Sequence, residues 1–206
     1  MSSYKTIKQE SYCELIEKKS RFISLTYPVT TEEEALTHLE AARKKYYDAT
    51  HVVYAYRIRE NQIQRFSDDG EPQGTAGVPV LEVLTKGEIT DTLSIVVRYF
   101  GGTLLGAGGL IRAYSKSAHD GVVASGIITM AECIEFNIDC PYHLLGKVEH
   151  ILMEQSCHKV HVEYADRILL TYYIEEACYP KLEAELREAT NATVAPNRIA
   201  RNFYEL

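Results

Sequence analysis

The chain has 206 residues, 46% hydrophobic and 25% charged, with a net charge of −7 and a pI near 5.5. That length suits two small domains and that composition a packed core. No apolar run approaches the roughly 18 residues that span a bilayer, and the polar start MSSYKTIKQE lacks a signal-peptide core, so no membrane contact and a cytoplasmic location are expected. Five cysteines without C-x-x-C spacing exclude a complete disulfide framework and argue against a zinc cluster. Up to residue 133 there are 15 Lys and Arg against 17 Asp and Glu (−2), and 7 against 12 in the remainder (−5). Long-range attraction to nucleic acid is not expected from this balance, which leaves a local basic groove in the first part as the route to such a partner.

In chain order, a strand is expected over Arg21–Tyr27. Thr31 and Glu34 form a capping-box pair opening a helix with Leu36, Leu39 and Tyr46 on one face. His51–Arg59 and Gln62–Phe66 read as a hairpin across Glu60-Asn61. The polar loop SDDGEPQGTAG follows over residues 67–77, then a short apolar helix or strand ending near Lys86. Leu93–Val97 is a buried strand that feeds YFGGTLLGAGGL and a helix from about Gly109 to Ser125, with the small-residue stripe Ala113, Ser117 and Gly121. Ile134, Phe136, Ile138 and Cys140 then alternate with polar residues as a half-buried strand that Pro141 ends. A helix on Leu144, Leu145, Val148, Ile151 and Leu152, strands at Val160–Tyr164 and Arg167–Glu175, a helix opened by Pro180, and a strand within residues 193–204 complete the order βαββαβ. The boundary is expected just before Ile134, giving domains 1–132 and 133–206.

Two segments depart from plain globular sequence. In 68–77, Asp68, Asp69 and Glu71 with three glycines offer hard-cation oxygens, but without EF-hand spacing. The competing reading is a turn whose acids are solvated or cap a helix, and no metal is assigned. In 98–114, a strand, a glycine-rich loop and a helix aim bare N–H groups at an anion, flanked by Arg98 and Arg112. Neither a Walker A loop nor a complete G-x-G-x-x-G is present, so the signal is for an anion or a close backbone contact rather than a nucleotide. His51 and His119-Asp120 invite a general-base role, but no triad spacing or G-x-S-x-G elbow accompanies them, and no catalytic set or cofactor is assigned.

Asp48-Ala49-Thr50-His51, Ala55-Tyr56-Arg57, Asp68-Asp69-Gly70-Glu71-Pro72, Gly74-Thr75-Ala76-Gly77, Arg98-Tyr99-Phe100-Gly101-Gly102, Leu105-Gly106 and 108–114 together resemble the IMPACT family, in particular its bacterial YigZ-type members. The resemblance covers about residues 15–130 and implies an α+β protein of two domains. The first would be like the second domain of a small-subunit ribosomal protein, and the second ferredoxin-like (βαββαβ). It also implies a link to translation. Eukaryotic relatives inhibit a stress pathway by competing for a protein activator of a translation-factor kinase, through a chain that carries an additional N-terminal domain. For bacterial relatives, RNA or the ribosome is the suggested partner.

The leading expectation is therefore a translation-linked binding protein, leaning away from an enzyme. It presents Arg98, Gly101, Gly102, Gly106, Gly108, Gly109, Arg112 and Tyr114 to RNA or a protein partner, beside a groove loop of His51, Asp68, Asp69, Glu71 and Thr75. The alternatives are a small-molecule enzyme using both loops as one pocket, and a protein-interaction module without an anion site. Arg98 and Arg112 either bind phosphate or brace the acidic loop.

Overall fold

The computed structural model describes residues 3–206. The chain divides into two compact units, Tyr4–Thr129 and a second made of Ser3 with Met130–Leu206. Strand β1, Ser3–Ile7, starts the chain, and the Lys8 N–H donates to the Gly126 carbonyl. A five-stranded antiparallel sheet follows, built from β2 (Ser11–Glu17), β3 (Ser20–Pro28), β4 (His51–Ile58), β5 (Ile63–Ser67) and β6 (Thr92–Tyr99) in the order β2-β3-β6-β4-β5.

Helices cover both faces of this sheet: α1 (Glu32–Lys45) on one, α2 (Gly77–Lys86) and α3 (Ala107–Ala124) on the other. The period of two sorts the side chains between them. Ile23, Leu25, Val52, Leu93, Ile95 and Val97 pack under α1, whereas Phe22, Val53, Ala55 and Val96 pack under α2 and α3. Being covered twice, β6 is buried from Thr92 to Arg98 rather than in alternation.

The capping box of α1 is formed, Thr31 Oγ1 accepting from the Glu34 N–H and Glu34 Oε2 accepting in return. The face it buries is Ala35, Leu39 and Ala42, while Leu36, expected inward, is 45% exposed. Small alanines let the helix sit close, and Leu36 falls to the rim. The apolar segment before Lys86 is a helix, and the 60–62 connection is a 3₁₀ turn rather than a two-residue hairpin turn. On α3 the small-residue stripe meets β3: a Cβ on Gly121 would lie 2.2 Å from Ser24 Oγ, so this crossing requires glycine.

β7 (Ile127–Cys140) begins in the last residues of the first unit, and in the second unit α4 (Leu145–Glu154), β8 (His158–Tyr164), β9 (Ile168–Glu175), α5 (Tyr179–Ala189) and β10 (Pro196–Glu205) follow it in turn. The strands pair antiparallel as β10-β7-β9-β8, the split βαβ arrangement. Phe136, Ile138, Val148, Leu152, Leu170 and Leu182 lie at the centre of its core. One expectation is corrected here. The strand expected from Ile134 begins seven residues earlier, at Ile127. β8 is an exposed edge strand, with Val160 and Tyr164 both outward.

Candidate ligand-binding site

The site is built where β5 and β6 end. After Ser67 the chain folds back on itself around two aspartates. Asp68 Oδ2 accepts from the Gly74 N–H (2.9 Å), and its Oδ1 accepts from Ala76 (3.1 Å) and Gly77 (2.7 Å). It thereby caps α2, whose own N-cap residue, Ala76, offers no side chain. Asp69 Oδ2 accepts from the Val52 N–H (2.7 Å), and Thr75 Oγ1 donates to the Pro72 carbonyl (2.6 Å). These residues hold the loop in place: both Asp68 oxygens and Asp69 Oδ2 are engaged with backbone N–H groups, and Asp69 Oδ1 faces Arg43 Nη2 at 3.6 Å.

The loop turns Glu71 inward, against the end of β6. Arg98 shares its strand face with Val96, the face under α3, so its guanidinium points into the protein and the residue is 5% exposed. Its Nη1 donates to Glu71 Oε1 (2.6 Å), which also accepts from the Tyr114 hydroxyl (2.8 Å). Arg98 Nη2 donates to Ser20 Oγ (3.3 Å), its Nε has no partner among the described residues, and the guanidinium carbon lies 5.5 Å from the ring centres of both Phe22 and Phe100. Burial, then the charge of Glu71 and its hydrogen bond, push the Tyr114 hydroxyl well above its ordinary range, so it remains a donor. Tyr114 was expected to face an anion, and Arg98 either to do so or to brace the acidic loop. Arg98 takes the bracing role and Tyr114 is corrected: both are inward, where they neutralise and satisfy a buried carboxylate.

His51 completes the cluster. Its Nδ1 lies 2.7 Å from the Asp69 carbonyl oxygen, which can only accept, so Nδ1 carries the proton. Nε2 is 3.8 Å from Glu71 Oε1, too far for a hydrogen bond.

Above these groups lies a cavity of about 430 Å³, to which both loops contribute. Its floor is polar, from His51, Glu71 and Arg98, and its walls are apolar, from Pro72, Leu105 and Leu110. Phe100, 44% exposed, and Leu104, 83% exposed, also line it. Gly106 and Ala107, at the start of α3, form part of the rim. No side chain caps this helix, so its first N–H groups lack helical acceptors.

Leu105 is also a wall of a second recess, of about 230 Å³, lined by Lys18, Gly109, Arg112 and Lys116 with Glu17. The glycine-rich loop rests on the Lys18-Lys19 turn: a Cβ on Gly101 would lie 2.0 Å from the Lys19 carbonyl carbon, which excludes any larger residue. Gly102, Gly106 and Gly108 are exposed, and Gly109 is half-buried. Lys18, Lys19 and Arg112 are exposed and have no ion pair among the described residues, while Lys116 pairs with Asp120 (2.8 Å).

Sequence reasoning missed Phe100, Leu104, Lys18, Lys19 and Lys116. A signal existed for Lys18 and Lys19, a charged pair just before the strand expected from Arg21. Nothing local says that this turn lies under a loop eighty residues on.

This is a two-unit α+β protein whose first unit carries a loop-walled cavity and a cationic flank. Residues 18–122 match the model described as the Impact N-terminal domain, and residues 138–193 match the domain of unknown function DUF1949. The chain is 41% identical to the IMPACT family member YvyE of Bacillus subtilis, over 93% of this chain and 88% of the relative. It is 31% identical to the IMPACT family member YigZ of Escherichia coli, over 86% and 88%. A crystal structure of a hypothetical protein aligns over 97% of this chain and 98% of that one, with a TM-score of 0.61 and 29% identity. The chain belongs to the IMPACT family. Among the described residues no helix is long and apolar enough to cross a membrane.

Proposed function

We propose that this protein is a translation-linked binding protein that contacts RNA, in the setting of the ribosome, through the loop face of its first unit. The observation that carries this is the collection of Lys18, Lys19 and Arg112 around the glycine-rich loop, without acidic partners, in a chain of net charge −7. Cations gathered on one face of an acidic protein and left unpaired suit phosphate contacts. The unfilled N–H groups at the start of α3 add to that face. The tie to translation rests on family resemblance. The test is a pull-down from cell extract with and without ribonuclease. Ribosomal components should be retained, be lost after ribonuclease, and be lost equally when Lys18, Lys19 and Arg112 are neutralised. Retention of one protein regardless of ribonuclease would make this a protein-interaction module.

A small-molecule enzyme is the second reading, and His51 is what favours it. With Nδ1 fixed on a carbonyl, Nε2 is the nitrogen left for proton transfer beside the cavity. Turnover of a component of a metabolite extract, followed by NMR and abolished by His51→Gln, would establish it.

A further inference from the structure

We propose that the cavity between the Gly70–Pro72 turn and the Phe100–Leu110 segment receives one unpaired nucleotide of an RNA strand. Its base lies against Phe100 and the leucines, and its phosphate lies at the start of α3. The inference rests on the RNA reading above and specifies what the recess adds to the charged flank.

Phosphate contacts need only a convex cationic surface. This face has a concave one beside it. At about 430 Å³ the cavity falls within the roughly 300–1,000 Å³ of small-molecule sites, and its walls are mainly apolar, as such sites require. A chain that used only its lysines would have no reason to expose Phe100 and Leu104 at the same spot. The Arg98 guanidinium supports the ring of Phe100 from within, which fixes an aromatic platform at the edge of the recess. Bases stack on such platforms whatever their sequence.

The polar floor supplies the rest. With Nδ1 protonated, His51 Nε2 is an acceptor, placed to receive an amino or imino hydrogen from the edge of a base. Glu71 is already saturated at Oε1 by Arg98 and Tyr114, so the floor presents little bare charge to an apolar ring. Gly106 and Ala107 stand on the same rim, where the open N–H groups of an 18-residue helix meet a phosphate. Arg112 lies a turn further along, on the far side of Leu105, placed for the next phosphate. A base seated in a recess has left its partner strand, so a duplex cannot make this contact.

The experiment compares a labelled single-stranded oligoribonucleotide with the same sequence annealed to its complement, by fluorescence anisotropy on the full chain. Phe100→Ala and Ala107→Leu, both at exposed cavity positions, are the test variants, with thermal unfolding as a folding control. A titration with AMP and UMP, read from the His51 ring signals by NMR, runs alongside. The single strand should bind at least about tenfold more tightly than the duplex, and each variant should lose about tenfold for the single strand alone. Equal binding of both forms, unaffected by either variant, would leave the cationic flank as an RNA contact and overturn the cavity assignment. Failure of both RNA forms, with mononucleotides still shifting His51, would preserve the pocket for a nucleotide and overturn the RNA reading. With no shift either, both fall.

Discussion

The two arginines that flank the glycine-rich loop look equivalent in sequence and differ in environment. Arg98 is part of a buried triad with Glu71 and Tyr114, while Arg112 stands exposed a turn into α3. Arg98→Ala leaves the Glu71 carboxylate buried without its cation and should cost about 3–5 kcal/mol of unfolding free energy. Arg112→Ala should change stability by less than about 0.5 kcal/mol. The order reverses for phosphate contact: at constant temperature below the unfolding transition, only Arg112→Ala should reduce the salt dependence of RNA binding. Chemical denaturation and anisotropy on the same samples check both halves, and a stable Arg98→Ala protein with reduced salt dependence would refute the assignment. The sequence showed which residues cluster but not which way they face. Arg98 is fixed inward by its position in the alternation of β6, two residues from Val96. That parity could be counted from the sequence once both faces of the strand were known to be covered. The aromatic support from Phe22 and Phe100, by contrast, needs three dimensions.

Among elements, those with local signals were legible. Thr31 and Glu34 announce α1, and the regular alternation of Ile134 to Cys140 announces β7. The elements lacking such signals were passed over, as β2 was, or left open between helix and strand, as α2 was, for identifiable reasons. β2, with Tyr12 and Ile16 exposed at the sheet edge, does not alternate cleanly, and α2 is capped by Asp68 from eight residues before its N-cap. The α1 cap carries a pH dependence. Glu34 accepts first from the Thr30 N–H, then from the Thr30 hydroxyl and the Thr31 N–H, which holds its carboxyl below the ordinary value. Because the folded value is the lower one, the stabilisation is present above the unfolded value of about 4.3 and is lost as pH falls through the folded one. The carboxylate is exposed, so Glu34→Gln should cost no more than about 1 kcal/mol near neutrality. It should cost little near pH 2, as urea midpoints at the two pH values would show. A different element contact, α3 on the sheet, contains Ser24, Thr26, Ser94 and Ser117 hydroxyls that are buried without partners among the described residues. Thr26→Val keeps the shape and removes one such hydroxyl, so it should be neutral or stabilise by about 1 kcal/mol. A loss beyond about 1 kcal/mol would mean that the hydroxyl has an acceptor.

At the scale of the whole molecule, charge is divided unevenly. Tyr4–Thr129 carries 15 Lys and Arg against 16 Asp and Glu, a net of −1, which leaves −6 of the total −7 to the remainder. A polyanion approaching this protein is therefore repelled by its average and attracted by one face, and at physiological salt the screening length of about 8 Å lets the face act locally. Placement, not total charge, should decide affinity. Neutralising Lys18, Lys19 and Arg112 to Gln takes the net charge from −7 to −10, three units lost. Neutralising the exposed Lys159, Lys181 and Arg187 of the second unit makes the same change elsewhere. If each of the first three residues meets a phosphate, the slope of log affinity against log salt should shrink by about 2, at roughly 0.7 per phosphate for single strands. The second triple should leave the slope unchanged and lower affinity at most slightly. Equal losses from the two triples would show that RNA responds to net charge alone, and would remove the glycine-rich loop face from its place as the contact surface.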